Sequence, residues 1–368
     1  MAGKIRVMVV DDSIFFREFL SKSLSARPDI EVVGVASDAF EAMEKIPAYR
    51  PDVIALDMEM PKMRGTEFLK KVRPLYPNIQ VVVISALSSN VFDALAAGAV
   101  DFVSKPNTRP NFDNNAFLAE TIHKIKIAMA STTSRTMRAA TPPPPPSKTA
   151  PPVRPAASPA RPAPPSARLP ILNVKFPNPK SVVAIGASTG GTEAILAVVR
   201  DLPANFPGVV IVQHMPPGFT KMYADRLDKI CKMKVREAQH GDRVEAGTIT
   251  IAAGDKHMRL KSDLKGYYVH CSTGEKVSGH CPSVDVLFES VAEAAGVNAV
   301  GVILTGMGAD GAKKMLEMKK RGAYTIGQNQ ATCIVYGMPM VAYNLGGVKE
   351  QLPLELIPDA LIRQLSKG

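Results

Sequence analysis

The sequence predicts two α/β domains, each built on a mostly parallel β-sheet, joined by a proline-rich linker. Short apolar runs alternate with helical patterns over residues 1–128 and again from residue 179 to residue 368. Between them, residues 129–178 consist largely of proline, alanine, serine and basic residues. Alternating strands and helices favour parallel sheets with right-handed crossovers. A proline-rich segment without apolar periodicity cannot build a core of its own.

Five short apolar runs in the first half predict the strands of a doubly wound parallel sheet. We expect these strands at residues 4–10, 30–36, 53–56, 81–84 and 98–103. Helical periodicity begins at Ser13 after the first run and recurs over residues 39–46 after the second.

Polar side chains follow these predicted strands where each strand ends. They are Asp11, Asp12, Asp57, Ser85 and Lys105. Because the carboxyl ends of the strands in an open α/β sheet meet at one crevice, we expect these side chains to cluster. Three carboxylates favour a hard divalent cation, typically Mg²⁺. A lysine and a hydroxyl beside them can hold a phosphoryl oxygen.

The basic charge of the chain is concentrated in its proline-rich segment. The formal net charge is +11, and residues 131–180 carry eight Lys and Arg residues and no acidic residue, which leaves +3 for the rest. A nucleic-acid site would need this charge on a folded surface. We therefore expect no nucleic-acid binding and interpret the segment as a semi-rigid, extended linker.

Composition argues against a membrane protein and against a secreted, disulfide-rich one. No apolar run reaches membrane-spanning length, and residues 1–12 do not match a signal peptide. The four cysteines are scattered, which is typical of a reducing compartment. They are Cys231, Cys271, Cys281 and Cys333. We expect a cytoplasmic location without membrane insertion.

The second half begins with a predicted strand, a tight turn and a helix. The apolar run 182–185 ends in Gly186-Ala-Ser-Thr-Gly-Gly191, and a helical pattern follows over residues 192–199. This is the context of a nucleophile elbow, in which glycines let the backbone turn sharply and expose a serine at the start of a helix. The pattern makes Ser188 a candidate nucleophile.

The same turn has an alternative interpretation as the phosphate-binding loop of a dinucleotide fold. Ser188 occupies the position of the middle glycine, where backbone must approach a pyrophosphate. The next apolar run, residues 209–213, ends in His214 rather than in the acidic residue that would bind a ribose. Since a serine nucleophile needs a base, His214 favours catalysis.

A third strand of the second half, residues 299–304, ends in a glycine-rich loop that contains Asp310. By itself Asp310 is better explained as the cap of the helix predicted over residues 312–321. Ser188, His214 and Asp310 all follow predicted parallel strands, however, which makes them a candidate catalytic triad. Their order along the chain differs from that of α/β-hydrolases, which indicates a different fold with the same chemistry.

Two further patterns are less specific. Residues 236–255 alternate over short stretches between turn glycines, which suggests a small β excursion from the core. His257, His270 with Cys271, and His280 with Cys281 invite a zinc hypothesis. Their spacing matches no compact ligand motif, so we favour structural roles.

The first half resembles the receiver domain of two-component response regulators along its whole length. The matching features are Asp11-Asp12, Asp57, the loop Met60-Pro-x-Met-x-Gly65, Ser85 and Lys105-Pro106. The resemblance implies a flavodoxin-like fold in which Asp57 accepts a phosphoryl group from a histidine kinase. It also implies that Mg²⁺ is held by Asp12, Asp57 and the Glu59 carbonyl, with Asp11, Ser85 and Lys105 completing the pocket.

The second half resembles the catalytic domain of bacterial chemotaxis protein-glutamate methylesterases. The matching features are residues 185–191, Gln213-His-Met-Pro216, Pro282-Ser-Val-Asp285, residues 304–311 and Tyr336-Gly-Met-Pro339. The resemblance implies a Rossmann-like, mostly parallel hydrolase sheet and the triad Ser188, His214 and Asp310. Backbone at Thr189 and Met307 would support the oxyanion, and the esterase reaction would need no cofactor.

Together the two resemblances imply a phosphorylation-activated hydrolase for chemotactic adaptation. Its substrates would be glutamate methyl esters, and specific glutamines, on methyl-accepting chemotaxis receptors. Its phosphodonor would be the chemotaxis histidine kinase, and it would be recruited to receptor arrays. Two alternatives stay open at this point: a response regulator whose output is binding, for example of nucleic acid, and a second domain that binds a dinucleotide.

Overall fold

The computed structural model describes residues 3–86, 90–106, 113–139 and 174–367, and of residues 132–139 only the backbone. No helix among these residues has the length and apolar character needed to cross a bilayer. Most of the predicted linker, residues 140–173, lies outside the described residues.

The N-terminal domain is a five-stranded sheet with the strand order β2-β1-β3-β4-β5, and every pair is parallel. Its elements in chain order are β1 (Ile5–Val10), α1 (Ile14–Ser25), β2 (Ile30–Ala36), α2 (Ala39–Tyr49), β3 (Val53–Asp57), α3 (Gly65–Leu75), β4 (Gln80–Ser85), α4 (Asn90–Ala96), β5 (Asp101–Ser104) and α5 (Asn114–Ala139). The predicted doubly wound fold is confirmed.

Two boundaries of this domain differ from expectation. Strand β5 begins at Asp101 rather than at residue 98, because Gly98 adopts a left-handed turn with φ of +104°. Helix α5 continues to Ala139, past the predicted domain boundary at residue 128. Proline and glycine, which would end a helix, are absent from residues 129–139, so the helix continues into the segment expected to be linker.

The C-terminal domain is a seven-stranded, fully parallel sheet with the strand order β14-β13-β12-β6-β7-β9-β8. Its elements in chain order are β6 (Val182–Ala187), α6 (Gly191–Val199), β7 (Gly208–Gln213), α7 (Phe219–Asp228), β8 (Lys234–Glu237), β9 (Thr248–Ile251), β10 (His257–Asp263), β11 (Gly266–Ser272), α8 (Val284–Ala294), β12 (Ala299–Ile303), α9 (Ala312–Lys320), β13 (Tyr324–Gln328), α10 (Met338–Asn344), β14 (Glu350–Leu352) and α11 (Ile357–Leu365).

The small β unit outside the main sheet, predicted at residues 236–255, lies at different residues in the structure. Strands β8 and β9 belong to the main sheet, and β9 pairs with β7. The separate β unit is the antiparallel hairpin of β10 and β11. This domain also starts earlier than residue 179: the Phe176 ring packs edge-on against Phe206 with centroids 5.1 Å apart, and Asn205 Nδ2 donates to the Val174 carbonyl at 3.0 Å.

Both sheets place their first strand beside the point where the strand order reverses. In the C-terminal sheet β6 lies between β7 and β12, and in the N-terminal sheet β1 lies between β2 and β3. Residues that follow these strands therefore line a crevice at the carboxyl edge of each sheet.

Aromatic side chains from the two domains pack against each other. Phe92 of α4 lies against Tyr223 of α7 with ring centroids 5.4 Å apart, and Phe102 of β5 lies against Phe219 of α7 at 4.7 Å. All four side chains are buried. Residues of α4 and β5 of the first domain therefore pack against α7 of the second domain.

We expect Gly186→Ala to destabilise the C-terminal domain. A methyl group at this position would lie 2.2 Å from Cγ1 of Val284 and 3.2 Å from the Phe288 ring, so β6 and α8 would have to separate. Overpacking of this kind lowers the free energy of unfolding by about 1–3 kcal/mol. Thermal unfolding measures the change. Gly3→Ala, at a position with no atom within 4 Å, is the control, and equal melting temperatures would contradict the tight β6–α8 contact.

Candidate active site

Ser188 lies directly after β6 in a tight turn. Its backbone N–H donates to the Thr305 carbonyl at 3.0 Å, and its carbonyl accepts from Gly191 N at 2.7 Å. Gly190 has φ of +75°, and helix α6 begins at the next residue. The structure thus forms the strand, turn and helix expected for a nucleophile elbow.

The glycine-rich loop after β12 approaches this turn closely. A Cβ atom at Gly306 would lie 2.8 Å from Cβ of Ser188 and 2.4 Å from Sδ of Met338. Only glycine fits there, because backbone must lie beside the serine. The next residue, Met307, has a partly exposed side chain and carries one of the two backbone groups expected to support an oxyanion.

His214 lies beside Ser188 because their strands are paired. Ala187, the last residue of β6, is in register with Gln213, the last residue of the neighbouring strand β7. The next residue along each strand is one of the two candidates, Ser188 or His214. His214 N donates to the Ala187 carbonyl at 3.1 Å. The imidazole is buried, with 7% of the side chain exposed.

Asp310 accepts four hydrogen bonds, two at each carboxylate oxygen. Its Oδ2 lies 2.8 Å from His214 Nε2 and accepts from Val284 N at 2.7 Å, whereas its Oδ1 accepts from Ser283 Oγ at 2.8 Å and Asp285 N at 2.9 Å. Asp310 therefore lies at the N-terminus of α8. The helix-cap alternative placed it on α9, the helix that follows it in sequence, whereas the structure places it on α8.

These contacts keep Asp310 ionised. Burial alone would raise the pKa of its carboxyl group, but the bonds from His214 and from the backbone N–H groups of Asp285 and Val284 bring the pKa below its usual value. The carboxylate is thus a fixed negative charge against one nitrogen of the imidazole.

The other imidazole nitrogen is available for proton transfer. His214 Nδ1 is buried and has no hydrogen-bond partner within the described chain, and no bond joins it to the Ser188 hydroxyl there. Catalytic hydrogen bonds are often long before substrate binds. The arrangement can pass a proton from a nucleophile to Nδ1 while Nε2 stays on Asp310.

Thr189 makes a contact that sequence analysis did not anticipate. Its hydroxyl donates to Asp101 Oδ2 at 2.5 Å, and Asp101 belongs to β5 of the N-terminal domain. The same oxygen lies 2.6 Å from Lys124 Nζ of α5. The residue next to the candidate nucleophile is therefore held by the other domain.

Two glutamines position the strand ends of the site and were also missed. Gln213 Nε2 donates to the Ser188 carbonyl at 2.9 Å, and Gln328 Oε1 accepts from Thr305 N at 2.8 Å. Both side chains are buried. Their position at the last residue of a buried strand, β7 and β13, was the available sequence pattern.

The histidines of the zinc hypothesis do not come together. His257 Nε2 lies 2.8 Å from the Glu275 carbonyl, and the His270 ring packs edge-on against His240. His280 instead stacks on His214, with ring centroids 3.7 Å apart.

The acidic residues of the N-terminal domain do form a cluster. Carboxylate oxygens of Asp11, Asp12 and Asp57 lie within 4.8 Å of one another. Lys105 Nζ lies 2.7 Å from both Asp11 Oδ2 and Asp57 Oδ2. Burial raises the pKa of Asp57 to about 6 although Lys105 opposes the shift.

This cluster fits a divalent cation and a phosphoryl group. Three carboxylates supply the oxygen ligands that Mg²⁺ prefers. The Ser85 hydroxyl is fully buried and has no hydrogen-bond partner in the described chain, which is costly unless a ligand engages it. Glu59 is exposed at the rim, and its N–H donates to Asp57 Oδ1 at 3.3 Å.

Known proteins match both domains. A family profile described as CheB methylesterase matches residues 183–361, and one described as response regulator receiver domain matches residues 7–116. A protein-glutamate methylesterase/protein-glutamine glutaminase 2 of Syntrophomonas wolfei is 49% identical over 99% of this chain and 98% of its own length. A protein named protein-glutamate methylesterase/protein-glutamine glutaminase from Syntrophotalea carbinolica is 44% identical over 100% of this chain and 99% of its own length. A protein of the same name from Salmonella typhimurium is 42% identical over 100% of this chain and 98% of its own length. The chain therefore belongs to the family of protein-glutamate methylesterases/protein-glutamine glutaminases that carry a response regulator receiver domain.

Proposed function

We propose that this chain, a carboxylic ester hydrolase by its family, demethylates glutamate methyl esters of chemoreceptors with Ser188, His214 and Asp310 as a catalytic triad. One observation supports these roles most directly: His214 is bonded through Nε2 to an anchored Asp310, and its buried Nδ1 has no hydrogen-bond partner among the described residues. Specific receptor glutamines would be deamidated at the same site.

In the first half-reaction Ser188 Oγ attacks the ester carbonyl carbon while His214 Nδ1 takes the hydroxyl proton. The tetrahedral intermediate breaks its bond to the methoxy oxygen, which receives that proton and leaves as methanol. Water then attacks the acyl-enzyme, again giving its proton to Nδ1, and the proton returns to Ser188 as the carboxylate product leaves. With a glutamine substrate the leaving group is ammonia.

Asp310 and the surrounding backbone stabilise the charges of this reaction. The Asp310 carboxylate orients the imidazole and balances the imidazolium that forms. Backbone N–H groups at Thr189 and Met307 are proposed to hold the oxyanion, where each donor typically contributes a factor of about 10²–10³ in rate.

The N-terminal domain is proposed to receive a phosphoryl group on Asp57 from a chemotaxis histidine kinase. Asp12, Asp57 and the Glu59 carbonyl would hold Mg²⁺, which neutralises charge on the incoming phosphoryl group. Lys105 and Ser85 would bind its oxygens, and Asp11 completes the pocket. We also propose that the protein acts in the cytoplasm at receptor arrays.

The unphosphorylated receiver is proposed to restrict access to Ser188. Only 8% of this serine is exposed, and the neighbouring Thr189 is bonded to Asp101 of the receiver. Phosphorylation of Asp57 would shift the interface toward an open state, as expected for a phosphoacceptor joined to an enzyme on one tether.

Ser188→Ala is expected to lower methanol release from methylated receptor membranes by a factor of ~10⁴ or more, because the nucleophile is lost. Release is measured with Mg²⁺ and a small phosphodonor present. Ser262→Ala, at an exposed position on β10, is the control. Normal release from the Ser188 variant would refute the proposed nucleophile.

Chelation of Mg²⁺ is expected to abolish stimulation by the phosphodonor while unstimulated release continues, because only the receiver uses the metal. Asp57→Ala should lose the stimulation in the same way. The measurement is the ratio of release with and without phosphodonor, with Asp29→Ala as the control for loss of a receiver carboxylate. Stimulation that survives either change would contradict phosphorylation at Asp57.

Asp101→Ala is expected to raise methanol release from the unphosphorylated protein several-fold, because it removes the receiver's bond to Thr189. Asp29→Ala is matched to it, since Asp29 also pairs with a lysine of α5, Lys126, but its side chain is half-exposed. Release that stays at the wild-type level in the Asp101 variant would argue against restriction by the receiver.

A further inference from the structure

We infer that His280 is a positioning residue for catalysis, whose ring stacks on the His214 imidazole and fixes the plane of that imidazole. The inference rests on the proposed function, because it assumes that His214 is the base. It gives a role to a histidine that the zinc hypothesis left unexplained.

The two imidazoles form a parallel stack. Their centroids are 3.7 Å apart, and their planes differ by 9°. Among the described residues, the His214 ring has one hydrogen bond, between Nε2 and Asp310. One bond leaves the ring free to tilt about it, whereas a second ring against its face fixes the plane.

A tight turn holds His280 over His214. Val277 and His280 exchange two backbone hydrogen bonds, each of 3.0 Å, around Ser278 and Gly279. Both central residues have positive φ, +52° and +83°, as a two-residue hairpin turn requires. The backbone of His280 is thus fixed by its own turn.

The turn is fastened to the same helix that anchors Asp310. Ser278 Oγ donates to Asp285 Oδ2 at 2.8 Å, while the backbone N–H of Asp285 donates to Asp310 Oδ1. Helix α8 therefore positions the ring above His214 and the carboxylate beside it.

His280 keeps its ring neutral in this environment. Burial is the main cause that lowers its pKa to about 4, and His214, Lys124 and His123 act in the same direction while Asp310 opposes them. A neutral ring can stay against His214 when the latter becomes charged, because it offers a π face to the cation instead of a second positive charge.

The test measures kcat and KM for methanol release by the full chain with Mg²⁺ and phosphodonor. His280→Ala and His280→Gln remove the flat ring, and we expect kcat to fall ~10- to 100-fold with KM nearly unchanged, since small misplacement of a catalytic group has effects of this size. His280→Phe keeps a flat ring and should restore most of kcat. Its pH profile between about pH 6 and pH 9 should match that of the wild type, because a neutral His280 does not titrate there.

His240→Ala is the control, since His240 is an exposed histidine whose ring packs on His270 instead. A raised KM with unchanged kcat in the Ala and Gln variants would overturn the inference by assigning His280 to substrate binding. Failure of His280→Phe to restore kcat would overturn it as well. If Ser188→Ala and His214→Ala remain active, the proposed function itself fails; if they are inactive and His280→Ala keeps its kcat, only the stacking role fails.

Discussion

The hydrogen bonds to the Asp310 carboxylate are the interaction on which the arrangement of the C-terminal domain's site depends. It follows β12, yet its four hydrogen bonds all come from elsewhere: from His214 after β7 and from three donors at the start of α8. A buried carboxylate is stable only when its oxygens are satisfied. The same bonds therefore fix the N-terminus of α8, the position of the loop after β12 and the orientation of the imidazole. The His214 imidazole is positioned because it supplies one of the hydrogen bonds that a buried carboxylate needs.

Much of this architecture follows from the order of residues along the chain. Parallel strands bring their carboxyl ends to one edge, so Ser188, His214 and Asp310 could be expected together, as could Asp11, Asp57 and Lys105. The first and last residues of a strand were less predictable where they depend on backbone conformation. Gly98 turns the chain before β5, and only the geometry of the folded chain shows that β8 and β9 join the main sheet.

Individual side-chain contacts away from the ends of paired strands could not be predicted. Nothing in the sequence around Asp101 indicates that its carboxylate meets Thr189, because neither residue type is specific for such a bond. His280 is similar: its spacing from the other histidines matched no ligand motif, and nothing in the sequence indicated that its ring stacks on the His214 imidazole. The structure places it in a turn at Ser278 and Gly279, and a turn by itself does not determine which side chain the next residue contacts.

The aromatic contact between the domains makes the proposed restriction reciprocal. Phe92 and Phe102 are covered by Tyr223 and Phe219 as long as the domains stay together. If phosphorylation weakens this contact, thermodynamic linkage requires that anything which separates the domains also favours the phosphorylated receiver by the same factor. A methylated receptor helix bound in the cleft would then act as an allosteric ligand of a site on the other sheet. Bound substrate would thereby favour the phosphorylated receiver, which is the state that opens the cleft to the substrate.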